Sequence, residues 1–180
     1  EVLLPDLPGH GESDDFAVGG MASAVLFDRL AGRDSRPISV VAFGAHARLA
    51  LDMALQRQAQ VVQVLLVDPP PVDTATALRW REAFHDTPAP NPHGGHWLQQ
   101  WHTLRDRHLF WPGVALTRDE VLAEPTGLEP AELQQELFDA VRCRPGVGEC
   151  WREALVEGLG GALQAAAIAG VTVQTLRSKA

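Results

Sequence analysis

The sequence predicts an α/β protein: a parallel sheet with helices on its faces, interrupted by a helical insertion. Apolar runs over 38–43 and 61–67 are typical of strands that are buried on both faces. Helix patterns alternate with these runs, and parallel strands need crossovers of that kind. No strand pattern interrupts residues 72 to about 165, which hold all five Trp, so we expect a helical insertion there.

The remaining elements follow from local sequence. Residues 1–4 are mostly apolar and predict a short strand, which a turn-rich loop over 5–15 ends. Apolar residues recur at helical spacing from Phe16 to about Ala31. Ala45 to Gln58 is rich in Ala, Leu and Met, which favours a helix. The β-branched residues of 171–177 predict a last strand.

Composition excludes several classes of protein. The 180 residues fit one domain, and a hydrophobic share of 46% is typical of a soluble globular chain. A net charge of -8, with a single Lys, argues against nucleic acid as a partner. The apolar runs are all shorter than the roughly 18 residues of a membrane span. We therefore expect neither nucleic acid as a partner nor a membrane span. A small-molecule ligand and no cofactor are expectations from the resemblance given below.

The cysteines and histidines predict no metal site. Cys143 and Cys150 lie seven residues apart without the spacing of zinc ligands, and they suit two reduced thiols of a cytoplasmic protein. A small disulfide loop is the alternative. His96, His102 and His108 are spaced by six residues, which places successive side chains on opposite faces of a helix.

Both ends of the chain have strand character. Glu1-Val2-Leu3-Leu4 begins as the inside of a strand, and the last strand pattern stops shortly before Ala180. Natural domains rarely begin and end in mid-strand, because the edge strand then lacks its neighbours. We expect a fragment of a longer chain, with a processed chain as the alternative.

Two segments carry a resemblance to a known family. Asp6-Leu-Pro-Gly-His-Gly-Glu-Ser13 resembles the D-x-P-G-H-G-x-S loop of the α/β-hydrolase superfamily. Val40 to Leu51 falls where that superfamily has its strand, nucleophile elbow and helix. The resemblance implies a partial α/β-hydrolase core over 1–71, a helical cap over 72–168 and the start of the post-cap core strand over 169–180.

The elbow departs from the superfamily pattern G-x-S-x-G. The alignment places Gly44 at the nucleophile position and His46 where the second Gly belongs, and glycine has no side chain that could attack a carbonyl. The resemblance further implies that Ala45 supplies the oxyanion amide and that Phe43 contacts substrate. Asp68 is an alternative position for the catalytic acid, or a cap for the Pro-rich turn. In this superfamily His10 usually tethers its loop.

The insertion offers a candidate binding face. Trp97, Trp101 and Arg105 follow each other at helical spacing on one face. They could form an aromatic wall over an apolar substrate, with Arg105 or His102 binding a carboxylate or carbonyl. The alternative is that this stripe packs the cap onto the core, since aromatic stripes are frequently core.

Three functions remain open at this point. By resemblance, the relatives hydrolyse esters or similar small acyl substrates, but Gly44 argues against that activity in this chain. A non-catalytic protein that binds a small apolar molecule or a partner is the second hypothesis. The third is acid–base chemistry with His46 as the base, because a helix N-terminus disfavours the protonated imidazole. His46 could equally fill the space of the missing Gly.

Overall fold

The computed structural model describes residues 2–7, 11–13, 36–83, 88–110, 116–125, 127–142, 155–156 and 158–177. The predicted helix from Phe16 to Ala31 lies outside these residues, as do His10, Cys143 and Cys150.

A parallel sheet of three strands organises the described part of the chain. The strands are β1 (Ile38–Phe43), β2 (Val61–Val67) and β3 (Thr172–Leu176). Their order is β1-β2-β3, and β2 pairs with both neighbours in parallel. The predicted strands over 38–43 and 61–67 are confirmed to the residue. The observed last strand is one residue shorter at each end than the predicted strand over 171–177.

Helices connect and flank these strands. The sequence between β1 and β2 forms α1, as predicted, although the helix is shorter than the pattern over 45–58. The described helices are α1 (His46–Gln56), α2 (Thr74–Ala83), α3 (Gly95–Leu109), α4 (Pro130–Arg142) and α5 (Gly160–Ile168), with one 3-10 turn at Arg118–Glu120. None of these helices combines the length and apolarity that crossing a membrane requires.

The main core lies between the sheet and the pair α1 and α5. Leu51, Leu66 and Leu159 are fully buried there. Small residues let the two helices approach each other and the sheet closely, because they present little side chain at the contact. These residues are Ala47, Ala50 and Ala54 of α1 and Ala162 and Ala166 of α5.

Helix α5 packs on the sheet core, and the division of the chain at residue 168 stays a prediction. The sequence analysis grouped residues up to 168 with the helical cap, but α5 packs against α1 and β3 as part of the sheet core. A run of alanines has the same helical pattern in either setting. Tertiary packing decides which surface it covers.

One face of the sheet is less buried than the strand pattern predicts. Val41, Phe43 and Leu176 alternate with the packed positions and are 53%, 62% and 55% exposed. The chain moves across the sheet in one direction, from β1 to β2 and then to β3. Right-handed crossovers that advance in the same direction lie on the same face of the sheet. The described helices of these crossovers, α1 and α5, therefore cover a single face.

The first residues do not form the predicted strand. Residues 2–7 are described without a strand, and Val2 and Leu4 are 83% and 91% exposed. A strand exists only through hydrogen bonds to a neighbour, and none of the described strands pairs with this segment. Residues 1–4 have the apolar composition of a strand. In the described part of the chain, however, no neighbouring strand pairs with them.

The described insertion has a small core of its own. Leu104 of α3 packs against Leu133 and Leu137 of α4, with Trp101 beside them. One isolated antiparallel bridge joins Phe110 to Val121. The insertion is therefore helical in its described part, as the absence of strand patterns predicted.

Asp73 caps α2, and this cap makes the stability of the helix depend on pH. The backbone N–H of Thr76 donates to Oδ1 of Asp73 at 2.8 Å. This bond, with a further one from the Thr76 side chain, lowers the pKa of Asp73 below its ordinary 3.8. A carboxyl with a lowered folded pKa stabilises the fold above its unfolded pKa, and this contribution is lost as the pH falls through the folded value.

We predict that Asp73→Ala lowers the thermal midpoint at pH 7, because the cap bond is lost. The difference from the wild type should shrink as the pH falls from 7 to 2, because the stabilisation by the ionised aspartate is lost as the pH falls through its lowered folded pKa. Asp73→Asn, which keeps an acceptor oxygen, should retain most of the midpoint at pH 7. Thermal denaturation by circular dichroism measures all three chains. A difference for Asp73→Ala that is the same at both pH values would contradict this account.

Candidate ligand site at the elbow

The turn between β1 and α1 is a tight elbow with glycine at its apex. Gly44 has φ of +52°, a left-handed conformation that glycine adopts without a steric penalty. Its N–H donates to the carbonyl of Val67 at 2.9 Å, and its carbonyl accepts from the N–H of Ala47 at 3.1 Å. The elbow is thus fixed to the next strand, and its apex carries no side chain.

Asp68 lies beside the elbow at the carboxyl edge of the sheet. The register aligns Phe43 with Val67 and Val67 with Leu176, so the three strands end together. The N–H of Asp68 donates to the carbonyl of Leu176 at 2.8 Å, and Asp68 adopts φ of +47°. The crevice outside the carboxyl ends of parallel strands is the usual ligand site of such sheets.

His46 is the first residue of α1 and bonds back to the strand. Its Nδ1 lies 3.2 Å from the carbonyl oxygen of Phe43. A carbonyl oxygen only accepts, so Nδ1 carries the proton in this bond, and Nε2 of the neutral ring is then the accepting nitrogen. This contact fixes both the orientation and the tautomer of the imidazole.

Ala45 precedes α1 as its N-cap and is buried. It makes no side-chain cap bond, and the first N–H groups of a helix have no partners within the helix itself. Amides in this position attract the oxygen of a carbonyl or an anion. The role of the Ala45 amide in binding an oxyanion stays a prediction.

A cavity of about 410 Å³ lies beside the elbow, between the first described segment and β1 with α1. Its described lining is largely apolar, and Asp6 and His46 are the ionisable residues among the described ones. The volume falls in the range of small-molecule sites, which is about 300–1,000 Å³. The lining residues are Leu3, Pro5, Asp6, Leu7, Val40, Val41, Ala42, Phe43, His46, Leu49, Ala50 and Met53.

Comparison with solved structures identifies the fold. A carboxylesterase structure from the ammonia-oxidizing thaumarchaeon Nitrososphaera gargenis superposes with a TM-score of 0.59 and 14% identity, over 95% of this chain and 59% of the esterase. Cfl2 from Burkholderia cenocepacia gives 0.57 and 20% identity, over 96% of this chain and 70% of Cfl2. The chain has the α/β-hydrolase fold.

Other comparisons add little to this result. An epoxide hydrolase of the α/β-hydrolase superfamily, from metagenomes of hot environments, matches over 84% of this chain and 50% of its own length, at 17% identity. Its TM-score of 0.40 is too low to bear on the fold. Neither a protein-family profile nor a curated protein matches the sequence. The chain spans 59% of the length of the thaumarchaeal esterase.

Within this α/β-hydrolase fold, the predicted residues of the insertion contact other residues of the insertion. Trp97 packs edge-on against Phe138 of α4, with ring centres 6.2 Å apart. Trp101 lies against the small core of the insertion, and Arg105 pairs with Asp106 at 2.6 Å. Phe43 and His46 line the cavity, whereas Trp97, Trp101 and Arg105 are not among its lining residues.

Asp6 is the lining residue that the sequence analysis did not select. The sequence analysis placed it in a turn-rich loop that resembles the D-x-P-G-H-G-x-S loop. Its Oδ2 accepts the N–H of Glu12 at 3.1 Å, and a Cβ on Gly11 would lie only 2.3 Å from this oxygen. The carboxylate of Asp6 therefore fits only because residue 11 has no side chain. The position of Asp6 beside β1 depends on the tertiary fold.

Proposed function

We propose that the elbow region binds a small, mostly apolar acyl compound, such as a short ester, without forming a covalent bond to it. The observation that carries this proposal is Gly44, at the apex of the elbow with φ of +52°. The α/β-hydrolase elbow presents a nucleophile at this position. Glycine keeps the turn but supplies no atom for attack.

The surroundings of the elbow support binding of an acyl group. The adjacent cavity is lined by apolar side chains, which favours an alkyl chain. The N-terminus of α1 begins at Ala45 and His46, where the helix dipole favours a carbonyl oxygen. The structural neighbour from Nitrososphaera gargenis is named a carboxylesterase. An ester has both an alkyl chain, which suits the apolar lining, and a carbonyl oxygen, which suits the helix N-terminus.

A second candidate function is hydrolysis by water that His46 activates. The observation that favours it is the bond from Nδ1 of His46 to the carbonyl of Phe43, which makes Nε2 the basic nitrogen. The base would take a proton from water, and the water oxygen would attack the ester carbonyl. The bond from the carbonyl carbon to the alcohol oxygen would then break, and the imidazolium would return the proton to the departing alkoxide. No acyl-enzyme forms on this route, so Gly44 is compatible with it.

We predict that the wild type binds ethyl butyrate and that Phe43→Ala weakens this binding by about tenfold. Loss of a contacting aromatic side chain removes roughly 1–2 kcal/mol of apolar contact. Phe138→Ala is the matched control, because Phe138 is also an exposed phenylalanine but lies on α4 away from the cavity. Titration followed by amide NMR shifts gives the dissociation constants. Equal weakening in both variants, or no binding by the wild type, would contradict the proposal.

The second candidate is tested by turnover of the same ester. If His46 activates water, ethyl butyrate is hydrolysed slowly, His46→Ala abolishes this hydrolysis, and the rate rises as the imidazole loses its proton. His93→Ala is the control, since His93 lies in an exposed loop before α3. Acid release is followed by titration at constant pH. Absence of turnover in the wild type, or full turnover in His46→Ala, removes this candidate.

A further inference from the structure

The chain leaves β2 through three consecutive prolines that are held at both ends. Pro69, Pro70 and Pro71 follow Asp68, and all three are buried. Each proline ring fixes φ at about -65°, so this segment is stiff. We propose that the three prolines couple the return of the insertion, at residues 158–160, to the backbone of Asp68 beside the elbow. The coupling does not depend on which ligand the elbow binds.

Asp68 adopts a strained backbone conformation at the first end of the proline segment. Its φ of +47° lies in the left-handed region, which a residue with a side chain seldom adopts. Such a conformation persists only where the surrounding structure holds it. On the sheet side, the N–H of Asp68 donates to the carbonyl of Leu176 at 2.8 Å. On the other side, the stiff proline segment holds it.

The return of the insertion holds the second end of the proline segment. The N–H of Leu159 donates to the carbonyl of Pro71 at 3.3 Å, and the N–H of Gly160 donates to the carbonyl of Val72 at 3.1 Å. The side chain of Leu159 is fully buried in the main core. These two bonds therefore fix the end of the proline segment to the start of α5 and to the core beneath it.

The close approach of the two segments requires glycine at two positions of the return. Gly158 has φ of +65°, and a Cβ there would lie 2.8 Å from the carbonyl oxygen of Val72. A Cβ on Gly160 would lie 3.0 Å from the same oxygen. Nonbonded heavy atoms prefer separations of about 3.5–4.0 Å, so either side chain would displace Val72. A Cβ on Gly161 would meet none of the described atoms within 4 Å outside its own helix and chain neighbours, which makes Gly161 the matched control.

Amide hydrogen exchange in the full chain, followed residue by residue by NMR, tests this coupling. The probe is the N–H of Asp68. The reference is the N–H of Ile38, which bonds to the carbonyl of Gln60 at the opposite edge of the sheet. In Gly158→Ala we expect the exchange of Asp68 to become about tenfold faster relative to Ile38, because a side chain in the left-handed conformation is strained and the added Cβ displaces the end of the proline segment.

Two further variants complete the test. Gly160→Ala, with the longer Cβ distance, should accelerate the exchange of Asp68 in the same direction, and it gives the same comparison if Gly158→Ala does not fold. Gly161→Ala should leave the ratio of the two exchange rates unchanged. A general loss of stability would accelerate Asp68 and Ile38 equally. Equal acceleration of both amides, an unchanged rate at Asp68, or the same effect in Gly161→Ala would overturn the proposal.

Discussion

The parallel pairing of β2 with both of its neighbours determines where the other parts of the site lie. The register ends β1, β2 and β3 at the same level, and two backbone bonds continue the pairing into the turns. One joins Gly44 to Val67, and the other joins Asp68 to Leu176. The elbow, Asp68 and the N-terminus of α1 are therefore neighbours because of main-chain hydrogen bonds, which do not depend on the side chain at the apex. A chain can keep this elbow after the nucleophile is replaced by glycine.

Packing on one face of the sheet holds this arrangement together. The alanines of α1 and α5 allow both helices to lie close to the sheet, and Leu66 of the central strand is fully buried beneath them. The free side of β1 faces the segment of residues 3–7 across the cavity, without strand pairing between them. The ligand site that we propose is thus bounded by a rigid wall of sheet and helix and by a loop that Gly11 and Asp6 shape.

The sequence was sufficient where structure follows from local pattern. The runs of Ile38–Phe43 and Val61–Val67 became strands with the predicted ends, because turn residues bound each run. Gly44 was placed at the elbow from the order of strand and helix. The sequence was insufficient where a partner decides the outcome. Residues 2–4 have strand composition but lack a paired neighbour, and α5 has a helical pattern that does not distinguish cap from core. Asp6 lines the cavity only because tertiary structure brings its loop to β1.

The central claim is that this elbow presents no nucleophile, and reaction with a fluorophosphonate tests it most directly. Such probes form a stable bond with an activated serine, and intact-protein mass spectrometry detects the added mass. We predict no adduct on the wild type, and an adduct on Gly44→Ser if its hydroxyl is activated, with Gly170→Ser as a control at another left-handed glycine. A stoichiometric adduct on a serine of the wild-type chain would contradict the account.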